Sequence, residues 1–179
     1  IEMTDIQLDW PPIGEPVAAW TEGFNDFLVS PYLQVRDLDQ NDKKRLRPTL
    51  LQLMKLNEML KTADLQFGYR IRDEIAFYML NRYEISELLS ESEALDYQIL
   101  QKILPRIHGS SRRLGTMLGE LIRHFAPPKL KLSAQMTAAE MIVKIGPPHQ
   151  TGIKFPRSLS KVLLMYRRFE EDGFTSFWL

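Results

Sequence analysis

The stretch Pro156-Arg-Ser-Leu-Ser-Lys-Val-Leu-Leu-Met-Tyr-Arg-Arg-Phe-Glu-Glu-Asp-Gly173 decides the fold class. Its apolar residues Leu159, Val162, Leu163, Tyr166 and Phe169 recur at steps of three and four, the spacing of one helix face. Proline suits the first turn of a helix and glycine the position just past its end, so the stretch predicts a helix bounded at both ends. Outward from it the same period returns. Leu114 to Phe125 reads as an amphipathic helix stopped by Pro127 and Pro128. Ser90 with Glu93 fits a capping box opening a helix with Leu95, Ile99, Leu100 and Ile103, bent at Pro105. From Tyr69 to about Leu89 the residues Ile71, Ile75, Tyr78, Met79 and Ile85 predict the longest helix of the chain. Gly68 before it suits a left-handed or close-approach conformation. A further helix carries Leu50, Leu53, Met54 and Leu60. Candidate starts lie near Asn41 and Asp42, but Pro48 favours a late start at its own position.

The remaining segments are less regular. Trp10, Pro11, Pro12, Gly14 and Pro16 predict an extended arm, and Val17 to Val29 a short amphipathic helix ending before Pro31. Between Pro127 and Phe155 the alternation Lys129-Leu-Lys-Leu132 resembles an edge strand and Thr137 with Glu140 a helix cap, and the whole is expected to be irregular. No βαβ alternation appears, so the expectation is a mainly α small helical bundle with a proline-rich N-terminal arm. It divides at residues 1–40 for the arm and short helix and 41–179 for the helical domain.

Composition narrows the function classes. The 23 basic and 23 acidic side chains cancel at a pI near 7.0, so no domain-wide field steers polyanions. Absence of cysteine removes disulfides, thiolate metal sites and cysteine nucleophiles. The apolar run Ile71 to Leu80 is broken by Arg72, Asp73 and Glu74, far short of the roughly 18 apolar residues of a membrane span. Phosphate-cradling GxxxxGK[ST], GxGxxG, HExxH and GxSxG patterns are missing. His108, His124 and His149 lack ligand spacing and read as a loop residue, a helix-end residue favoured by the helix dipole, and a surface residue.

Three runs carry a resemblance: Phe67-Gly-Tyr-Arg-Ile-Arg-Asp-Glu-Ile75; Ala94-Leu-Asp-Tyr-Gln-Ile-Leu-Gln-Lys-Ile-Leu-Pro-Arg-Ile-His-Gly109; and Phe155-Pro-Arg-Ser158 with Asp172-Gly-Phe-Thr-Ser-Phe-Trp178. Over residues 67–178 they resemble the C-terminal part of McrB-like AAA+ NTPases, the motor subunits of modification-dependent restriction systems and their relatives. Ile1-Glu2-Met3 is similar to the strand after the sensor-1 and arginine-finger region, so the chain is expected to be a piece following a nucleotide-hydrolysing core. The resemblance implies an AAA+ lid that lacks enzyme activity and cofactor by itself, in a cytoplasmic parent using ATP or GTP with magnesium. It implies as partners the AAA+ core of the same chain, neighbouring subunits of a homo-oligomeric ring, a nuclease subunit, and DNA through the parent complex, with no membrane. The competing expectation is a free-standing helical adaptor that binds a protein or DNA without nucleotide.

Arg70, in the first turn of its helix, matches the sensor-2 arginine of that family, with Gly68 for close backbone approach and Tyr69 packing near base or ribose. Arg72 lies about 200° around the same helix. The plain alternative for Arg70 is an exposed ion pair with Asp73 or Glu74. Arg106, Arg112 and Arg113 with Lys102 flank Gly109-Ser-Ser111, a cluster fit to touch DNA phosphates or a neighbouring subunit, or simply to be solvated. Arg157 opens the last helix as a subunit contact or a cap. Phe174, Phe177 and Trp178 must dock on the domain or a partner.

Overall fold

A computed structural model describes residues 35–82, 88–147 and 152–178. The expected arm, the helix at Val17 to Val29 and His149 lie outside them. The described chain forms six α-helices: α1 (Gln40–Lys61), α2 (Tyr69–Asn81), α3 (Glu91–Gln98), α4 (Arg112–Phe125), α5 (Ala138–Ile145) and α6 (Pro156–Asp172). Two-residue strands β1 (His108–Gly109) and β2 (Thr175–Ser176) pair antiparallel, His108 opposite Ser176 and Gly109 opposite Thr175. The fold is the mainly helical bundle expected.

Helix α4 is packed most extensively against α6, with α1 alongside; α2 lies on α1 and α3, and α5 on α6. The amphipathic α4 turns Leu114, Met117, Leu118, Leu121, Ile122 and Phe125 inward. At the centre Phe125 meets Phe155 edge-on, with ring centroids 5.6 Å apart. Val35, in a short 3₁₀ turn (Val35–Asp37), is also part of this core.

Local chemistry explains most boundaries. Ser90 and Glu93 form the expected capping box, as do Thr137 and Glu140. Helix α6 runs from Pro156 to Asp172 and ends on Gly173 at φ 70°, a left-handed conformation that glycine adopts without Cβ strain. Several expectations are corrected. The helix carrying Pro48 starts eight positions earlier than the late start, at Gln40, because Asp39 accepts the N–H of Asp42 at 2.8 Å. Pro48 is exposed within α1, where water can satisfy the carbonyl that its missing N–H leaves free. That makes α1, at 22 residues, longer than α2, at 13. The segment expected to be irregular holds α5, because the Thr137 cap is followed by Ala138, Met141 and Ile145 on one buried face. Lys129–Leu132 is no strand: Pro128–Leu130 is a 3₁₀ turn. Before Pro105 the chain widens into a π-helical turn, Ile99–Ile103, and then tightens into a 3₁₀ turn at Leu104–Arg106.

Candidate functional site

The runs quoted from the sequence come together in space. Asp96, fully buried on α3, accepts the backbone N–H groups of Arg157 and Ser158 at 2.9 Å each. Lys102, in the π-helical turn, reaches Glu74 on α2 at 2.7 Å. The Arg106 guanidinium donates to the Gln66 carbonyl at 3.4 Å, and Phe177 N–H to the Ile107 carbonyl at 3.3 Å. The apolar tail therefore docks on the domain through β1 and β2. Lys161 lies 4.6 Å above the Phe177 ring, and burial pushes its ammonium below its ordinary pKa, with the Arg168 charge adding to the effect. Trp178 stays mostly exposed.

Helix N-termini leave backbone N–H groups without helical partners. Oxygens from Asp39, Ser90, Ser111 and Thr137 meet this need on α1, α3, α4 and α5, and Asp96 meets it on α6. Helix α2 differs. Its N-cap is Gly68, there is no side-chain cap, and its first turn holds no acidic residue. Gly68 is extended, at φ −101° and ψ −170°, so of the two expected roles the left-handed one is not taken, and its value here is the lack of a side chain beside the open turn.

Arg70 stands in that turn with its side chain 86% exposed, and its Nε donates to Glu74 at 3.0 Å. Arg72 is the opposite case. It is 2% exposed, donates to buried Asp73 at 2.7 Å, and stacks 4.8 Å from the ring centroid of half-exposed Tyr69. Glu74 is held below its ordinary pKa chiefly by the hydrogen bond from Lys102; burial opposes this, and Arg70 adds a lesser lowering.

The other basic candidates separate. Arg113 faces Asp64 at 3.4 Å with both side chains exposed, and Arg112 lies beside Gly115 and Thr116 on a shallow groove. Arg106 and Lys102 point to the start of α2 instead, so the cluster does not form one patch. The Arg157 guanidinium covers the Tyr97 ring at 4.3 Å and lies 3.8 Å from Asp96, tying α6 to α3. His124 is not favoured in its charged form as its helix-end position suggested: burial, then Lys55 and Lys154, lower its pKa. Exposed His108 sits in β1. Among the described residues no cluster of metal-ligating side chains forms, and no helix is long and apolar enough to cross a membrane.

Sequence reasoning missed Asp96 and the grip of Lys102 on Glu74. Each contact joins partners 28 or more positions apart, and neither leaves a periodic signal. Neither a curated protein nor a solved structure matches the chain. A family match spans residues 22–174, most of the sequence, and by it the chain belongs to the family described as Domain of unknown function (DUF8727).

Proposed function

We propose that this domain is the helical lid of a ring-forming AAA+ NTPase and that Arg70 senses the nucleotide. The observation that carries the reading is the exposed Arg70 at the only α-helix N-terminus among the described residues without a side-chain oxygen. Free N–H groups and the positive end of the helix dipole favour an anion there. A planar guanidinium adds parallel charge-assisted hydrogen bonds to phosphate oxygens. A cation in the first turn is mildly unfavourable to the helix itself, which argues for a use beyond stability. The resemblance of residues 67–178 supplies the partner surface, an α/β core that presents the nucleotide to the lid. Contact among all the resembling runs supports reading them as one unit. In this account the domain couples nucleotide state to subunit arrangement in a cytoplasmic complex acting on DNA.

The experiment is to express the full reading frame that contains this chain, and the chain alone, and to assay both for ATP and GTP hydrolysis and for assembly. The account predicts magnesium-dependent hydrolysis and nucleotide-promoted ring assembly by the full-length protein, and neither by the isolated chain. A full-length protein without a phosphate loop or hydrolysis would favour the free-standing adaptor.

A further inference from the structure

Glu74 is gripped from both sides. Arg70 Nε, from the preceding turn of α2, takes one carboxylate oxygen at 3.0 Å, and Lys102 Nζ, from the π-helical turn, takes the other at 2.7 Å. Two cations from separate elements thus converge on one anionic group, and their heads flank a space the size of a carboxylate. The neighbouring charges do not neutralise this surplus, because Arg72 and Asp73 are buried against each other. All three members can be reached by a ligand: the Arg70, Lys102 and Glu74 side chains are 86%, 41% and 25% exposed.

A carboxylate and a phosphate offer the same recognition edge, a pair of charged oxygens accepting from cationic N–H groups. Arg70 holds Glu74 through an exposed pair one helical turn apart, a contact that shifts an equilibrium only about twofold. Exchange of its partner for a doubly charged phosphate is therefore favourable. The same exchange is closed to Arg72, which is buried together with its partner Asp73 out of reach of a ligand.

We propose that Lys102 is a second phosphate-binding cation beside Arg70, and that Glu74 is a built-in competitor occupying both until a nucleotide phosphate displaces it. The inference rests on the nucleotide-sensor reading of Arg70 and adds to it a ligand and an internal inhibitor. It fixes the sign of a substitution that a purely structural ion-pair network would give the other way. Removing the competitor's charge should tighten nucleotide binding, whereas loosening a scaffold should weaken it.

The test is equilibrium binding of magnesium ATP, ADP, GTP and GDP to the full-length protein and its Arg70→Ala, Lys102→Ala, Lys102→Arg and Glu74→Gln variants, with thermal midpoints alongside. Triphosphate affinity is expected to fall about three- to tenfold in Lys102→Ala, to be restored in Lys102→Arg, and to rise about two- to fivefold in Glu74→Gln. Weaker or unchanged binding in Glu74→Gln, or unchanged binding in Lys102→Ala, overturns the proposal while Arg70→Ala still weakens binding. Unchanged binding in Arg70→Ala overturns the sensor reading itself. Should Lys102→Ala fail to fold, the conservative Lys102→Arg and Glu74→Gln pair decides: affinity retained in the first and raised in the second supports the proposal, and any other pattern overturns it.

Discussion

Asp96 caps a helix that begins 60 positions later: its carboxylate accepts from Arg157 N–H and Ser158 N–H at 2.9 Å, while the Ser158 hydroxyl donates back to the Asp96 carbonyl at 3.1 Å. The carboxylate is fully buried, and α6 supplies its counter-dipole, so α3 and α6 stabilise each other only when docked. Phe155, the N-cap of α6, brings its ring into the core beside Phe125 at the same junction.

Asp96→Ala should therefore be among the most damaging single changes outside the apolar core. It leaves two N–H groups without their acceptor and removes a charge-assisted cap, a loss of about 2–3 kcal/mol. For a chain of this size the thermal midpoint should fall by roughly 4–12 °C. Asp96→Asn, which keeps one acceptor oxygen, should lose less. Equal melting of all three proteins in calorimetry would contradict this role.

Arg72→Ala and Arg70→Ala should differ sharply in stability. The buried Arg72 and Asp73 pair leaves an uncompensated carboxylate when broken, at about 3–5 kcal/mol. The exposed Arg70 and Glu74 pair contributes a few tenths of a kcal/mol. Urea melts of both variants check the contrast, and comparable losses would show that exposure does not govern these pairs.

Two glycines on α4 should respond with opposite signs. A Cβ on Gly115 would run into the Phe169 ring of α6, so Gly115→Ala must swing that ring off the helix at a net cost of about 1 kcal/mol. On Gly119 the nearest atom is the end of the Arg123 guanidinium at 3.3 Å, a group that moves easily. Gly119→Ala should gain up to about 1 kcal/mol through helix propensity. Stabilisation by Gly115→Ala would show that the close approach of α4 and α6 does not depend on a missing side chain.

Stability should also fall as pH drops through the range in which unfolded histidine titrates. Burial, then Lys55 and Lys154, holds His124 below the ordinary 6.5, so the unfolded chain binds the proton more readily than the folded one. The folded state keeps its full advantage above about pH 6.5 and loses it progressively until the folded pKa is passed. Glu74 and Glu93, whose folded pKa values are also lowered, lose their contributions only below about 4.5, which among the described residues leaves the higher window to His124. His124→Gln should flatten the thermal midpoint between pH 7 and 5.5; an unchanged slope would assign it elsewhere.

The sequence announced elements whose signals are local and hid those built by distant pairs. Ser90 with Glu93, Pro156 with Gly173, and the stripe from Leu114 to Phe125 each name an element within a few residues, and each forms. Pro48 misled because a proline signals a helix start or an interruption equally well, and only exposure of its site decides. Thr137 with Glu140 was legible as a cap, but the eight residues after it are too few for a clear period. Arg70 was placed correctly in the first turn of α2, and its pairing with Glu74 is the exposed contact that spacing allows. Burial of Arg72, the Asp96 cap and the grip of Lys102 on Glu74 depend on how helices dock, which no stretch of about ten residues encodes.

The central claim is that Arg70 reads nucleotide phosphate, and steady-state hydrolysis by the full-length protein carrying Arg70→Ala, with its thermal midpoint, tests it most directly. A lost charge-assisted contact to the γ-phosphate amounts to roughly 1.5–3 kcal/mol, so the account predicts a tenfold to hundredfold fall in hydrolysis or nucleotide affinity at an unchanged midpoint. Full turnover and full affinity in Arg70→Ala would contradict it, leaving Arg70 as nothing more than the exposed partner of Glu74.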